Sequence, residues 1–207
     1  MFITFIIPTI GRITLINSIN SLLNLKDNDW NAIIIFDGIK NNIDIKDLDN
    51  RIKIIEIEKS GIEDIKNNAG IVRNIAFDII LESDNKPDWI GFLDDDDYLS
   101  SDYICCLKDE IKINPIIDVC IFRMAYENGC IIPQKNDRNI IRNKVGISFC
   151  LKYDLIKDNK FINSPFEDYI FLKNLQHKKY KILISSYVCY FIRILPFKCD
   201  FYPKIII

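Results

Sequence analysis

The chain has 207 residues, 49% of them hydrophobic, and 27 basic against 29 acidic side chains give a formal charge of -2. That length supports one substantial core without requiring a second domain, and the near-balanced charge excludes a general attraction to nucleic acid or to an anionic membrane surface. Seven cysteines, an odd number with no CxxC spacing, argue against a zinc site and against a disulfide framework, so a reducing cytoplasm is the simplest location.

The predicted elements alternate from the start. Met1 to Pro8 is apolar but lacks the basic start and small-residue cleavage site of a secretory signal, and it reads as a strand. No apolar run approaches the ~18 residues a spanning helix needs, so no membrane span is expected. Turn chemistry at Pro8 to Arg12 leads into Ile13, Ile16, Ile19, Leu22 and Leu23 at helical spacing. Asn31 to Phe36 is a continuous apolar run of the kind found in a strand covered on both faces, and it stops at Asp37-Gly38. A third strand is predicted at Ile52 to Ile57 and a helix from Asn68 to Leu81. Trp89 to Leu93 then ends abruptly in Asp94, Asp95, Asp96 and Asp97.

This alternation predicts a single α/β domain with a mostly parallel central sheet flanked by helices. The second half is less regular. A helix is expected over Ser101 to Lys112, and strands over Ile116 to Phe122 and Ile147 to Leu151. A loop or irregular hairpin is expected over Tyr126 to Lys144, a helix over Phe166 to Lys178, and one or two strands over Tyr180 to Ile194.

The acidic run carries the chemistry. Four like charges at a strand end are unfavourable unless a cation sits among them, and oxygen-only ligands suit a hard ion such as Mg²⁺ or Mn²⁺. The carboxyl edge of an open α/β sheet is also where ligands bind. The plainer alternative is a solvated acidic turn capping a helix that begins near Tyr98.

Five segments, Ile6 to Arg12, Ile34 to Gly38, Val72-Arg73-Asn74, Phe92 to Asp97 and Glu167-Asp168, resemble the family-2 glycosyltransferases of GT-A (Rossmann-like) fold in order and approximate spacing. The resemblance covers the chain from Phe2 to about Arg193 and implies a nucleotide-sugar-binding half over 1–98 and an acceptor-side half over 99–207. It implies that Pro8, Thr9 and Arg12 lie against the donor nucleotide, with Arg73 and Asn74 nearby. Asp37 would bond base or ribose, although Phe36 stands where the family has a first acid. The family's Asp-x-Asp-Asp falls on Asp94, Asp96 and Asp97 as metal-side residues, with Asp94 also facing the ribose and Asp95 in the variable place; a register one residue later, Asp95 and Asp97, stays open. Asp168 would be the general base beside Glu167, and Arg193 would face the diphosphate. Each segment has a structural alternative: a turn-forming Asp-Gly at Asp37, a solvated helical face at Arg73-Asn74, and acids favoured by a helix dipole at Glu167-Asp168. His177, the only histidine, sits in a polar run and reads as a surface residue.

The implied activity is metal-dependent, inverting transfer of a sugar from a nucleotide-sugar donor, a UDP-sugar above others, to an acceptor hydroxyl on a glycan, protein or small molecule. Two rivals are a sugar nucleotidyltransferase, which would want a Gly-rich phosphate loop where only Gly11 stands, and a catalytically silent nucleotide-sugar-binding module of the same fold.

Overall fold

A computed structural model describes residues 1–41, 49–60 and 68–192, so Arg193 and its expected role lie outside the described residues. The first half follows the predicted alternation: β1 (Ile3–Thr9), α1 (Leu15–Leu23), β2 (Trp30–Asp37), β3 (Ile52–Ile57), α2 (Ala69–Glu82) and β4 (Trp89–Phe92). β1 pairs in parallel with β2 on one side and β4 on the other, and β2 pairs in parallel with β3. The chain thus builds outward to β3 and returns across β1 to β4. A crevice opens at the carboxyl ends of two strands where the order reverses in this way, which here means the ends of β1 and β4.

The second half comprises β5 (Asp97–Leu99), α3 (Tyr103–Ile113), β6 (Val119–Tyr126), β7 (Ile131–Ile132), β8 (Phe149–Lys152), a 3-10 turn at Tyr153–Lys157, α4 (Glu167–His177) and β9 (Ile182–Ile192). The sheet order is β3-β2-β1-β4-β8-β6-β9-β5, with β7 paired to β6. β8 runs antiparallel to β4 and β6, β5 antiparallel to β9, and β6 parallel to β9. β4 and β5 are therefore far apart in the sheet yet joined by only residues 93–96. Four residues reach about 14 Å at most, so the sheet curls until its β5 edge returns to the end of β4.

Several boundaries differ from expectation. No helix begins at Tyr98: Leu99 donates its N–H to Ser21 Oγ (3.1 Å) and Ser100 to the Cys189 carbonyl (2.9 Å), so these donors serve α1 and β9 while Asp97 to Leu99 pairs as a strand. β6 starts at Val119, three residues later than predicted, because the Asn114 carbonyl accepts from Ile117 N–H in a turn (3.1 Å). It then runs on to Tyr126 because β9 offers a partner through Ile192. The Tyr126 to Lys144 stretch does contain an irregular hairpin, made by β6 and β7.

Two packing features position the site. Leu15, Ile19 and Leu22 bury one stripe of α1, and Ser18 and Ser21 are buried with them. Behind the other face of the sheet, Phe77, Phe92, Phe149, Phe161 and Phe171 form a continuous aromatic cluster, with Phe92 edge-on to Phe161 at 5.5 Å and Phe161 stacked on Phe171 at 4.2 Å. This cluster ties α2, β4, β8 and α4 together, each such pair adding roughly 0.5–1.5 kcal/mol beyond area burial.

β4 carries a glycine where a methyl group will not fit: a Cβ on Gly91 would lie 2.7 Å from the Phe5 ring and 3.2 Å from Ile3 Cδ1. Gly91→Ala is expected to destabilise the protein by about 1–3 kcal/mol through overpacking. Urea denaturation will read this as a lower midpoint at unchanged slope, and the added Phe5→Leu change should recover part of the loss. A midpoint equal to wild type would show that β4 and β1 are less closely packed than described.

Candidate active site

The turn at residues 93–96 is held from beneath. Ser18 donates its hydroxyl to the carbonyls of Asp94 (3.1 Å) and Asp97 (2.7 Å), and the Asp94 N–H donates to the hydroxyl of fully buried Tyr190 (3.0 Å). Tyr190 also hydrogen-bonds the Asp97 side chain, and burial followed by the charges of Asp97 and Asp94 raises its pKa well above the phenolic value. The turn thus fixes its backbone with partners from α1 and β9, leaving the carboxylates to do other things.

Those four carboxylates divide in two. Asp95 and Asp97 are buried, whereas Asp94 and Asp96 are half-buried. Asp95 accepts from Thr9 Oγ1 (2.6 Å) and Arg12 Nη1 (2.6 Å), and Thr9 Oγ1 in turn accepts the Gly11 N–H (2.9 Å). Asp95, which the resemblance puts in the variable place, is therefore the acid that binds β4's end to the β1 loop. Arg12 lies between Asp95 and Asp96, 3.5 Å from the latter. Its desolvation lowers its pKa, but the charge of Asp95 and their hydrogen bond outweigh this and raise it.

Arg73 is the buried cation of the site, at 1% exposure. It donates through Nη2 to Asp94 (2.6 Å) and through Nη1 to Glu167 (3.1 Å), and its guanidinium lies 5.5 Å from the centre of the Phe161 ring. One side chain on α2 thereby joins the acidic turn to the first residue of α4. Asn74 beside it clasps the Phe161 backbone, donating to its carbonyl and accepting its N–H at 2.8 Å each. That amide is committed to the aromatic cluster's backbone. Asp37 is likewise engaged, accepting from Ser60 N–H (2.5 Å) and Ser60 Oγ (2.9 Å) and so holding the chain after β3 to the end of β2. Pro8 is buried within β1, Phe36 is core, and His177 is exposed at the end of α4.

A cleft of about 870 Å³ opens beside the turn. Its lining includes six carboxylates, Asp94, Asp96, Asp97, Glu127, Glu167 and Asp168, and one cation, Arg73. Tyr126, Asn128, Asn143 and Val145 are among the residues that supply the opposite wall. Gly146 lets that wall approach α4, since a Cβ there would sit 3.4 Å from Asp168 Oδ2 and 2.7 Å from Met124 Cε. Asp168 is held by the N–H of Tyr169 (2.6 Å). Burial pushes its pKa up to about 6 and Glu167 adds to the rise, against the opposing Tyr169 hydrogen bond and the Arg73 charge.

Sequence reasoning named the carboxylates of both clusters but missed Ser18, Ser21 and Tyr190. The two serines had a visible signal, since they interrupt the apolar stripe of α1 at positions three and six residues after Leu15. Tyr190 had none.

No family model matches the sequence, and no curated protein matches it. Among solved structures the chain is similar to S. aureus TarS: at 18% identity and TM-score 0.69 to its residues 1–349, covering 93% of this chain and 60% of that one. Against a longer TarS chain the values are 20% and 0.73, covering 95% of this chain and 37% of that one. The same 1–349 portion has been solved with UDP-GlcNAc (18%, TM-score 0.71, 96% and 60% covered) and with UDP (19%, 0.68, 95% and 61%). This chain thus spans 37–61% of the structures it matches, and what it shares with them is the fold: one mixed α/β domain whose curled sheet is flanked by helices.

Proposed function

We propose that this protein is a metal-dependent inverting glycosyltransferase that moves a sugar from a UDP-sugar to an acceptor hydroxyl. The observation that carries this reading is the composition of the cleft, in which six carboxylates oppose a single guanidinium that two of them already engage. Such a cleft repels a diphosphate unless a cation is added. The fold's likeness to TarS, solved with UDP-GlcNAc and with UDP, supports the choice of donor.

The residues suit a metal that the substrate helps to bind. Among the described residues no three His, Cys, Asp or Glu side chains converge to hold an ion alone. Mg²⁺ and Mn²⁺ need less than that, because one or two carboxylates suffice when diphosphate oxygens and water complete the shell. Asp94 and Asp96 are those two in this reading, with Asp97 behind them bonded to Tyr190. When bound, the ion offsets charge on the departing diphosphate.

The chain's own residues carry the remaining steps. Arg12 is half-exposed beside Asp95 and Asp96 at the donor end, where its outer face is available to a nucleotide phosphate. Arg73 orients Asp94 and Glu167 and serves the donor through them. Asp168 takes the proton of the acceptor hydroxyl while that oxygen bonds the anomeric carbon and the bond to the diphosphate breaks on the opposite face. A base with a pKa near 6 is ionised at neutral pH yet still basic enough to help. Glu167, buried against Arg73, is a positioning residue in this scheme. The decisive experiment incubates the protein with UDP-sugars and Mn²⁺: slow release of UDP fits the proposal, whereas pyrophosphate-dependent UTP formation, or binding without turnover, rejects it.

Two sets of variants separate the roles. Asp96→Ala should abolish metal-dependent UDP affinity while leaving the melting temperature unchanged, as EDTA does to wild type. Asp95→Ala should instead unseat Thr9 and Arg12 at a cost of about 1–3 kcal/mol, a fall of about 2–12 °C for a domain of this size. UDP affinity insensitive to EDTA would remove the metal from the reading.

For Asp168 the pH dependence has a definite sign. Its folded pKa of about 6 exceeds the ordinary 3.8, so the group favours folding when protonated and its contribution is lost as pH rises through 6. Ionisation costs about 3 kcal/mol at pH 8 and about 1 kcal/mol at pH 4.5. Asp168→Asn should therefore melt higher than wild type at pH 8, with the gain shrinking at pH 4.5, while turnover falls ~10²–10⁴-fold. Wild-type kcat should decline below an apparent pKa near 6. A fully active Asp168→Asn protein, or a kcat flat from pH 5 to 8, refutes the assignment.

A further inference from the structure

Arg123 is buried at 3% exposure, yet among the described residues no carboxylate lies within ion-pair distance of it. Its guanidinium is spent on three carbonyls: Nε donates to Ser185 (3.0 Å), Nη1 to Pro133 (2.6 Å) and Nη2 to Lys135 (3.1 Å). Desolvation lowers its pKa and the like charge of Arg138 lowers it further, with the more distant charge of Asp137 opposing them only in part. A buried guanidinium whose hydrogen bonds all go to neutral carbonyls, with its nearest opposing charge beyond ion-pair distance, is costly, so its placement calls for a reason beyond filling space.

The reason lies in the β6–β9 register. Ile121 pairs with Ile184 but Arg123 pairs with Val188, so β9 uses four residue steps where β6 uses two. The extra residues form a bulge, and Arg123 Nε reaches the Ser185 carbonyl within it. Bulges of this kind re-aim side chains and recur beside active sites. Beyond this one, β9 delivers Tyr190 to Asp94 and Asp97. The other two carbonyls, of Pro133 and Lys135, lie where the chain leaves the short β7 and heads along the cleft wall. Ile132 lines the cleft just before that point, and Asn143, Val145, Gly146 and Ile147 line it afterwards.

We propose that Arg123 is a positioning residue that pins the cleft wall of residues 126–147 to the bulge in β9 and so sets the side of the cleft that receives the acceptor. The pin itself stands on the hydrogen bonds; the word acceptor rests on the transferase reading. Asp137 helps by accepting the Gln134 N–H (2.9 Å) and meeting Lys144 (3.5 Å), which keeps the wall folded on itself. The β6–β7 pairing already joins the wall to β6, and Arg123 adds the tie that reaches β9.

Arg123→Met and Arg123→Lys test this, the lysine being long enough to keep one of the carbonyls if the methionine does not fold. Amide hydrogen exchange in Arg123→Met should rise tenfold or more over 131–137 and 185–188, with β1 to β4 unchanged and Arg123→Lys between the two. With UDP-GlcNAc as donor and glycerol as the probe acceptor, the ratio of glycerol transfer to hydrolysis should fall at least tenfold in Arg123→Met while UDP affinity stays within twofold. Exchange that is unchanged, or raised across the whole sheet, overturns the pin. Local loss of protection with an unaltered transfer ratio overturns its role at the acceptor side. A wild-type protein that turns over none of a panel of UDP-sugars defeats the transferase reading and with it the acceptor role, and the exchange result then decides the pin alone.

Discussion

The four-residue link from β4 to β5 is the constraint on which the rest of the molecule depends. β4 belongs to the middle of the sheet and β5 to its end, and so short a link can be satisfied only if the sheet curls to bring those places together. The site is the point of closure. The acids of the link are consequently seated on two parts of the chain distant in sequence, α1 through Ser18 and β9 through Tyr190. A turn whose Asp94 and Asp97 backbone groups are held from below can keep several carboxylates at close quarters.

Electrostatics then divides the labour among those carboxylates. Asp95 is ion-paired with Arg12 and hydrogen-bonded by Thr9, and Asp94 is ion-paired with Arg73. Arg73 matters twice, because its second partner is Glu167 and the residue after that is Asp168. A buried guanidinium with two carboxylate partners is expensive to half-satisfy and strongly resists losing either one. It therefore fixes the separation between the acidic turn and the start of α4 more firmly than apolar contact would. The aromatic cluster around Phe161, clasped by Asn74, supports the same geometry from the core side.

Asp168 owes its chemistry to this arrangement. Its carboxylate sits near two others and largely out of water, with Arg73 offering only partial relief. On the surface of a helix the same residue would merely favour the helix dipole at ~0.3–1 kcal/mol. The wall across the cleft approaches this carboxylate closely because Gly146 has no side chain, a Cβ there lying 3.4 Å from Asp168 Oδ2, and burial is the largest cause of its raised pKa.

The sequence by itself determined the parallel half of the fold, since runs such as Ala32 to Phe36 tolerate only a strand covered on both faces and the spacing in α1 and α2 tolerates only helices. It also singled out the acidic run for attention, because four adjacent aspartates at a strand end carry their own electrostatic argument. Local pattern failed where partners come from far along the chain. Asp97 to Leu99 became a strand because β9 lay beside it, β6 ran on to Tyr126 for the same reason, and Asn74 and Asp37 turned inward to the Phe161 and Ser60 backbones. Which aspartate would be buried against Arg12, which would meet Arg73, and how far Asp168 would be desolvated were decided only by tertiary structure. Those outcomes depend on distances between residues up to about a hundred positions apart, and no periodicity in a sequence encodes a distance of that kind.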